Sequence, residues 1–215
     1  MTPMIVVISS PSGGGKTRIT QRLVSDRADC GYSVSATTRA PRLGEVDGVA
    51  YHFLSADEFE RRVQGGEFAE HAVYNGNRYG TLTSELVKVM HGGQHAVLDI
   101  EVIGARQVRA RFPDAVLVFV VPPTGAVLAK RLRDRGTEPE AVVAGRLRRA
   151  IDEISAAVEY DYVVVNDEFE MAVSAVNAIL DAETRRTSRQ RDITVVLDRL
   201  RAEVGAELLR STSGH

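Results

Sequence analysis

Four short apolar runs punctuate this chain, at residues 5–9, 96–100, 116–121 and 162–165. They are too continuous for strands with one wet face and too short for helices, so they predict strands covered on both faces. Segments with helical spacing, at 18–25, 103–110, 125–135 and 139–158, alternate with them. Strand and helix in alternation predict the α/β class: a parallel sheet flanked by helices.

Residues 32–80 break that rhythm. Short alternating pieces rich in β-formers occur at 32–35, 49–53 and 72–74, and Asn75-Gly76-Asn77 is a turn signal before Arg78-Tyr79. Ser55-Ala56-Asp57-Glu58 has the form of a capping box opening a helix through Val63. These features predict an inserted, mostly antiparallel subdomain over the carboxyl ends of the parallel strands, where ligands bind in such sheets. Farther on, two arginine-rich helices meet at Gly136-Thr137, with Pro139 and Glu140 opening the second. A helix pair of this composition suits a lid closing over phosphates. The expected division is a core at 1–31, 82–124 and 146–215, an insertion at 32–81 and a lid at 125–145. The amphipathic stretch 193–209 reads as a solvated helix, or as a self-association helix that would make a homo-oligomer.

Composition narrows the function classes. The 215 residues are 44% hydrophobic and 26% charged, the balance of a soluble globular protein. A net charge of −2 gives no global basic field for nucleic acid. The longest apolar runs are far too short to span a bilayer, and the N-terminus runs into a strand without the features of a secretory signal. Cys30 is the only cysteine, so no internal disulfide can form, as expected of a cytoplasmic protein. Neither nucleic acid nor membrane is expected as a partner.

The chemistry begins where the first apolar run ends. Ser10-Pro11-Ser12-Gly13-Gly14-Gly15-Lys16-Thr17 follows that strand and precedes a helix, the layout of a phosphate-binding loop. Glycines let backbone N–H groups approach phosphate oxygens, and the following helix presents its positive end. Ser12, Gly13, Gly14, Gly15, Lys16 and Thr17 are the candidate ATP-binding residues, with Lys16 reaching the outer phosphates and the Thr17 hydroxyl on Mg²⁺. The usual pattern opens on Gly, where this chain has Ser10. Asp99 ends the second apolar run and stands as a strand-end acid able to hold Mg²⁺.

With this loop, the segment from Ser33 to Phe53, containing Thr38-Arg39-Ala40-Pro41-Arg42, closely resembles the guanylate kinase family. So do Gly66-Glu67-Phe68-Ala69-Glu70, Gly76-Asn77-Arg78-Tyr79-Gly80-Thr81, Leu98-Asp99-Ile100-Glu101 before Gly104-Ala105, Arg135-Gly136-Thr137, and Tyr160 through Asp167. The resemblance runs in order from about residue 4 to 180. It implies transfer of the γ-phosphoryl of ATP to GMP, and to dGMP, with Mg²⁺ as cofactor. It places the GMP phosphate on Ser35, Arg39, Arg42, Tyr51 and Tyr79, and the guanine on Glu70 and Thr81, with Asp99 and Glu101 completing the GMP site. Arg131, Arg135 and Arg146 become the lid arginines at the transferring phosphoryl, and Asn166 an ATP contact.

Residue chemistry agrees. Guanidinium groups grip a dianionic phosphate bidentately, and hydroxyls add hydrogen bonds without charge. One carboxylate can accept both guanine N1–H and the N2 amino group, a donor pair that adenine lacks. Glu101 stands where the family has Asp, one methylene longer, which leaves its contact to the base open. His71 and Leu82 also depart from the pattern. Arg148 and Arg149 read as solvated. Two other readings stay available: a non-catalytic guanylate-kinase-like interaction module, which typically lacks a working phosphate loop, and a phosphate-loop kinase for a ribose bisphosphate, which would not need Glu70 with Thr81.

Overall fold

In the computed structural model, residues 2–74, 76–134 and 140–213 are described. Asn75, the Gly136-Thr137 turn, Pro139 and the candidate lid residue Arg135 lie outside the described residues. The chain divides into two compact units, Pro3–Ile179 and Leu180–His215 with Met1–Thr2.

The first unit is built on a five-stranded sheet of order β2-β7-β1-β8-β9, every pairing parallel. Its strands are β1 (Ile5–Ser9), β2 (Cys30–Tyr32), β7 (His95–Asp99), β8 (Val116–Val121) and β9 (Tyr162–Val165). Val6, Val7 and Ile8 of the central strand are fully buried, as expected of a strand with neighbours on both edges and helices on both faces. Four of the five strands are the four apolar runs. The fifth, β2, is a correction: three residues containing Gly31 carry no pattern of their own and become a strand by pairing, Cys30 opposite His95 and Tyr32 opposite Val97.

Helices α1 (Lys16–Asp26) and α4 (Val102–Arg111) follow β1 and β7 directly. Ile8 stands opposite Asp99, and the Ser9 hydroxyl donates to the Ile100 carbonyl at 2.7 Å. The two strand ends that launch the phosphate loop and α4 are thereby held side by side.

A second sheet, of order β4-β3-β6-β5, is formed by β3 (Ser35–Thr37), β4 (His52–Phe53), β5 (Phe68–Tyr74) and β6 (Asn77–Leu82). Two of its three pairings are antiparallel, matching the expected insertion. The helix α2 (Ala56–Gln64) starts where the capping box predicts, the Ser55 hydroxyl accepting from Glu58 N–H at 3.1 Å. Phe59 stacks on Phe68 with ring centroids 4.4 Å apart, and with Ala36 and Leu82 they form a separate small core. The 125–145 segment, expected as a lid, falls on α5 (Gly125–Arg133) and the start of α6 (Glu140–Ser155), two helices packed through Leu128, Leu132, Val143 and Ala150. Helices α3 (Thr83–His91) and α7 (Phe169–Arg185) are absent from the sequence expectations.

In the second unit Glu183 pairs with Arg186 and Arg189, at 3.3 and 3.1 Å, and the 21-residue helix α8 (Ile193–Ser213) follows. Leu197, Leu200, Val204 and Leu208 of α8 are exposed. None of the described helices is long and apolar enough to cross a membrane.

The small core beneath the second sheet has few members, so truncating its largest should be felt strongly. Phe59→Ala is expected to destabilise the protein by roughly 3–5 kcal/mol, read by urea denaturation.

Candidate functional site

The phosphate loop is shaped by its glycines. Gly13 and Gly15 lie at φ 89 and 100, a region closed to most side chains. A Cβ at Gly13 would press on Leu128 and Leu132 of α5 at 3.2–3.3 Å, and one at Gly15 would collide with Asn166 Nδ2. Ser10, in place of the usual Gly, is accommodated by its neighbour: a Cβ at Gly14 would lie 2.7 Å from that of Ser10, so the space a side chain would take at one position is taken at the other. The Asn166 side chain donates to the Gly14 carbonyl at 2.8 Å, and the Asn166 backbone carbonyl accepts from Arg131 Nη2 at 3.1 Å. Arg131 Nη1 is buried with no hydrogen-bond partner, a donor left over for a ligand. Ser12 is held from α6: Arg146 Nη2 donates to its hydroxyl, and its N–H donates to Glu153 Oε2, each at 3.2 Å.

Lys16 points at two carboxylates, Glu101 Oε1 at 2.7 Å and Asp99 Oδ1 at 3.2 Å. Burial alone would pull its pKa down. The two acids outweigh that and hold it well above the ordinary lysine value, so the ammonium stays charged. Glu101 reaches Lys16 with one oxygen, while Oε2 is buried without a partner.

A cavity of about 790 Å³ is lined by Lys16 and Thr17 of the loop, by Asp99 and Glu101, and by Ser35, Tyr51, Glu70 and Tyr79 of the second sheet. Tyr51 and Tyr79 meet edge to face at 6.0 Å. Arg39 is outside the lining. It forms a bidentate pair with Glu45 at 2.9 Å and lies 5.4 Å from the Tyr51 ring centroid. Arg42 is exposed and is tied to Glu45 through its backbone, its N–H donating to the Glu45 carboxylate at 2.7 Å and its carbonyl accepting from Glu45 N–H at 3.0 Å. The structure therefore brings Arg39 beside the cavity and leaves the Arg42 side chain in solvent.

Glu70 is 5% exposed. A register shift in the β5–β6 pairing between Phe68 and Glu70 sets Glu70 opposite Thr81. The Thr81 hydroxyl, fully buried, donates to Glu70 Oε1 at 2.7 Å. Gly104 in the first turn of α4 leaves room for the other oxygen: a Cβ there would lie 2.5 Å from Glu70 Oε2. Burial pushes the Glu70 carboxyl up to about 7, against the opposing pull of Thr81 and Lys16.

Comparison with known proteins decides between the readings. Residues 2–183 match the model of the family described as guanylate kinase. The chain belongs to the guanylate kinase family. A guanylate kinase of Symbiobacterium thermophilum is 46% identical over 186 residues, covering 86% of this chain and 88% of the relative. One from Trichormus variabilis is 46% identical over 176 residues, covering 82% and 88%. The crystal structure of guanylate kinase from Anaplasma phagocytophilum superposes with a TM-score of 0.75 at 33% identity, covering 92% of this chain and 94% of that one. Membership makes the chain an enzyme, a nucleoside monophosphate kinase.

Reasoning from sequence missed several residues of this guanylate kinase family site. Glu45, which occupies Arg39, and Gly104, which clears space for Glu70, lie within quoted motifs but carry no chemical signal alone. Tyr32, Val49, Ala50 and Tyr74 also line the cavity. Arg149, expected in solvent, is exposed yet lies 5.7 Å from the Tyr74 ring centroid. Glu153 meets Ser12 across 141 positions of sequence, and nothing local announces it.

The raised Glu70 pKa has a consequence for stability. The folded protein holds that proton up to about pH 7, whereas an unfolded carboxyl releases it near 4.5. Stability is therefore lost as pH rises between those values, by roughly 3 kcal/mol at most. Glu70→Gln should remove that loss. Urea denaturation is expected to show the variant more stable than the parent at pH 8, with the gap closing toward pH 4.5.

Proposed function

We propose that the chain transfers the γ-phosphoryl of ATP to GMP, giving ADP and GDP, and accepts dGMP as well. The observation that carries this reading is the shared cavity: Lys16 and Thr17 of a phosphate loop open onto the same space as Glu70, Ser35, Tyr51 and Tyr79. A donor-phosphate site and a purine site in one cavity is what direct transfer between two nucleotides requires.

In this reading Ser12, Gly13, Gly14, Gly15, Lys16 and Thr17 hold the ATP phosphates, with Asn166 bracing the loop. Ser35, Arg39, Tyr51 and Tyr79 hold the acceptor phosphate. Arg42 joins them by swinging in from solvent, and the Glu45 carboxylate now on Arg39 yields to phosphate. Ionised Glu70 accepts the two guanine donors, Thr81 fixes its orientation, and Asp99 and Glu101 complete the GMP site. No group in this assignment is committed to the ribose 2′-hydroxyl, hence dGMP.

The acceptor phosphate oxygen is already anionic near neutral pH, so transfer needs no general base. The work is positioning and charge neutralisation by Lys16, Arg131 and Arg146, with Arg135 as a third lid arginine. The unpartnered Nη1 of Arg131 is available for that purpose. The hydroxyl of Thr17 and the carboxylate of Asp99 are hard oxygen donors of the kind that suits Mg²⁺. When bound there, the ion would neutralise phosphate charge. In this proposal the 125–145 segment acts as a lid, the 32–81 insertion as the acceptor subdomain, and the enzyme works in the cytoplasm. The exposed apolar side chains of α8 support pairing between copies of the chain.

ATP-dependent phosphorylation of GMP, AMP, CMP and UMP in parallel tests the base assignment. GMP alone should be turned over efficiently, and equal products from all four would reject the guanine role. Glu70→Gln should lower kcat/KM for GMP by roughly 10²-fold or more, because a carboxamide presents one acceptor and one donor to two guanine donors. Lys16→Ala should reduce kcat by ~10²–10³, as loss of one preorganised charge contact does elsewhere. A coupled ADP-release assay reads both.

A further inference from the structure

The glycines that let the phosphate loop curl also leave it poorly held. Gly13-Gly14-Gly15 has no side chain with which to anchor itself. Ordering glycine costs more backbone entropy than ordering any other residue. A site that has to gather its amides at the moment of binding loses affinity by that cost. The loop's external anchors are therefore informative. On one side Asn166 grips the Gly14 carbonyl. On the other, Arg146 and Glu153 hold Ser12 by its hydroxyl and its amide. These two residues are about two turns apart on one face of α6.

Glu153 has no part in the phosphoryl transfer described above. Its carboxylate is half-buried, and burial, followed by the charge of Glu101, raises its pKa. A negative group next to a phosphate loop opposes an incoming triphosphate. Its place there makes sense if it does something for the loop itself. We infer that Glu153 is a positioning residue for the donor phosphates: by accepting the Ser12 amide it holds the entrance of the glycine run, so that the loop is curled before ATP arrives. The inference deepens the kinase reading of this site, and only its kinetic consequence rests on that reading.

Two substitutions in the full chain separate the possibilities. Glu153→Ala removes the acceptor, while Glu153→Gln keeps an acceptor oxygen at the same reach without the charge. Hydrogen exchange on the ligand-free protein should show the amides of residues 12–15 exchanging about tenfold faster in Glu153→Ala and within about threefold of the parent in Glu153→Gln, with protection in the β1 and β7 strands unchanged. In steady-state assays Glu153→Ala should raise KM for ATP about tenfold, or about 1.4 kcal/mol, and leave KM for GMP within about twofold. Glu153→Gln should recover most of that loss. Unchanged loop exchange in Glu153→Ala would overturn the inference. So would a lowered KM for ATP in both variants, which would make the carboxylate an anion that obstructs the site, or equal losses for ATP and GMP. The exchange measurement needs no turnover. A parent protein that fails to phosphorylate GMP therefore sinks the kinase reading and leaves the loop test standing.

Discussion

An ammonium largely withdrawn from water must be given counter-charge, and the site is arranged around that requirement. Lys16 is enclosed between Asp99 and Glu101, and an unpaired cation there would cost several kcal/mol. The pairing is available because β1 and β7 are adjacent, parallel and in register, with Ile8 opposite Asp99. The loop that carries Lys16 and the strand that carries Asp99 consequently end at one level. The following residues turn into α4, which starts at Val102 and runs past β5, where the Gln107 side chain bonds both the N–H and the carbonyl of His71. One strand pairing thus sets the donor loop, its two acids and the support of the second sheet.

Much of this was legible in the residues. Continuous apolar runs mark β1, β7 and β8, because a strand buried on both faces has no freedom to be polar; the edge strand β9 corrects that reading, being apolar although Val163 and Val165 on one of its faces are exposed. The loop was legible because close approach to phosphate admits few residue types. The capping box at Ser55 gave the start of α2 to the residue. What escaped was set by partners distant in sequence. Strand β2 exists because of β7. Helix α3 is only nine residues long, and its core-facing side chains are Leu86, buried, with Val89 and Met90 half-buried against the same core, a face of barely more than one turn. Helix α7 differs, since it carries helical spacing of its own in Ala172, Val173, Val176 and Leu180. The Glu153 contact lies in tertiary space alone.

Two of the four departures from the family pattern, Ser10 and Glu101, have structural explanations of different kinds. Ser10 is balanced locally, since Gly14 vacates the volume that the Ser10 Cβ fills. Glu101 is longer than the usual Asp, and the structure uses that length on Lys16, leaving its second oxygen buried and unsatisfied. A buried acceptor without a donor is costly, and that cost is borne at the edge of the cavity rather than inside the hydrophobic core.

At Gly104 the site and the helix make opposing demands on one residue. It sits in the first turn of α4, where alanine would strengthen the helix by about 1 kcal/mol. Alanine there would also drive its methyl group into a carboxylate that has nowhere to retreat, because Thr81 holds its other oxygen. Helix propensity and room for the Glu70 carboxylate therefore pull this position in opposite directions. The chain carries a weak helix former where the neighbouring carboxylate leaves no room for a stronger one.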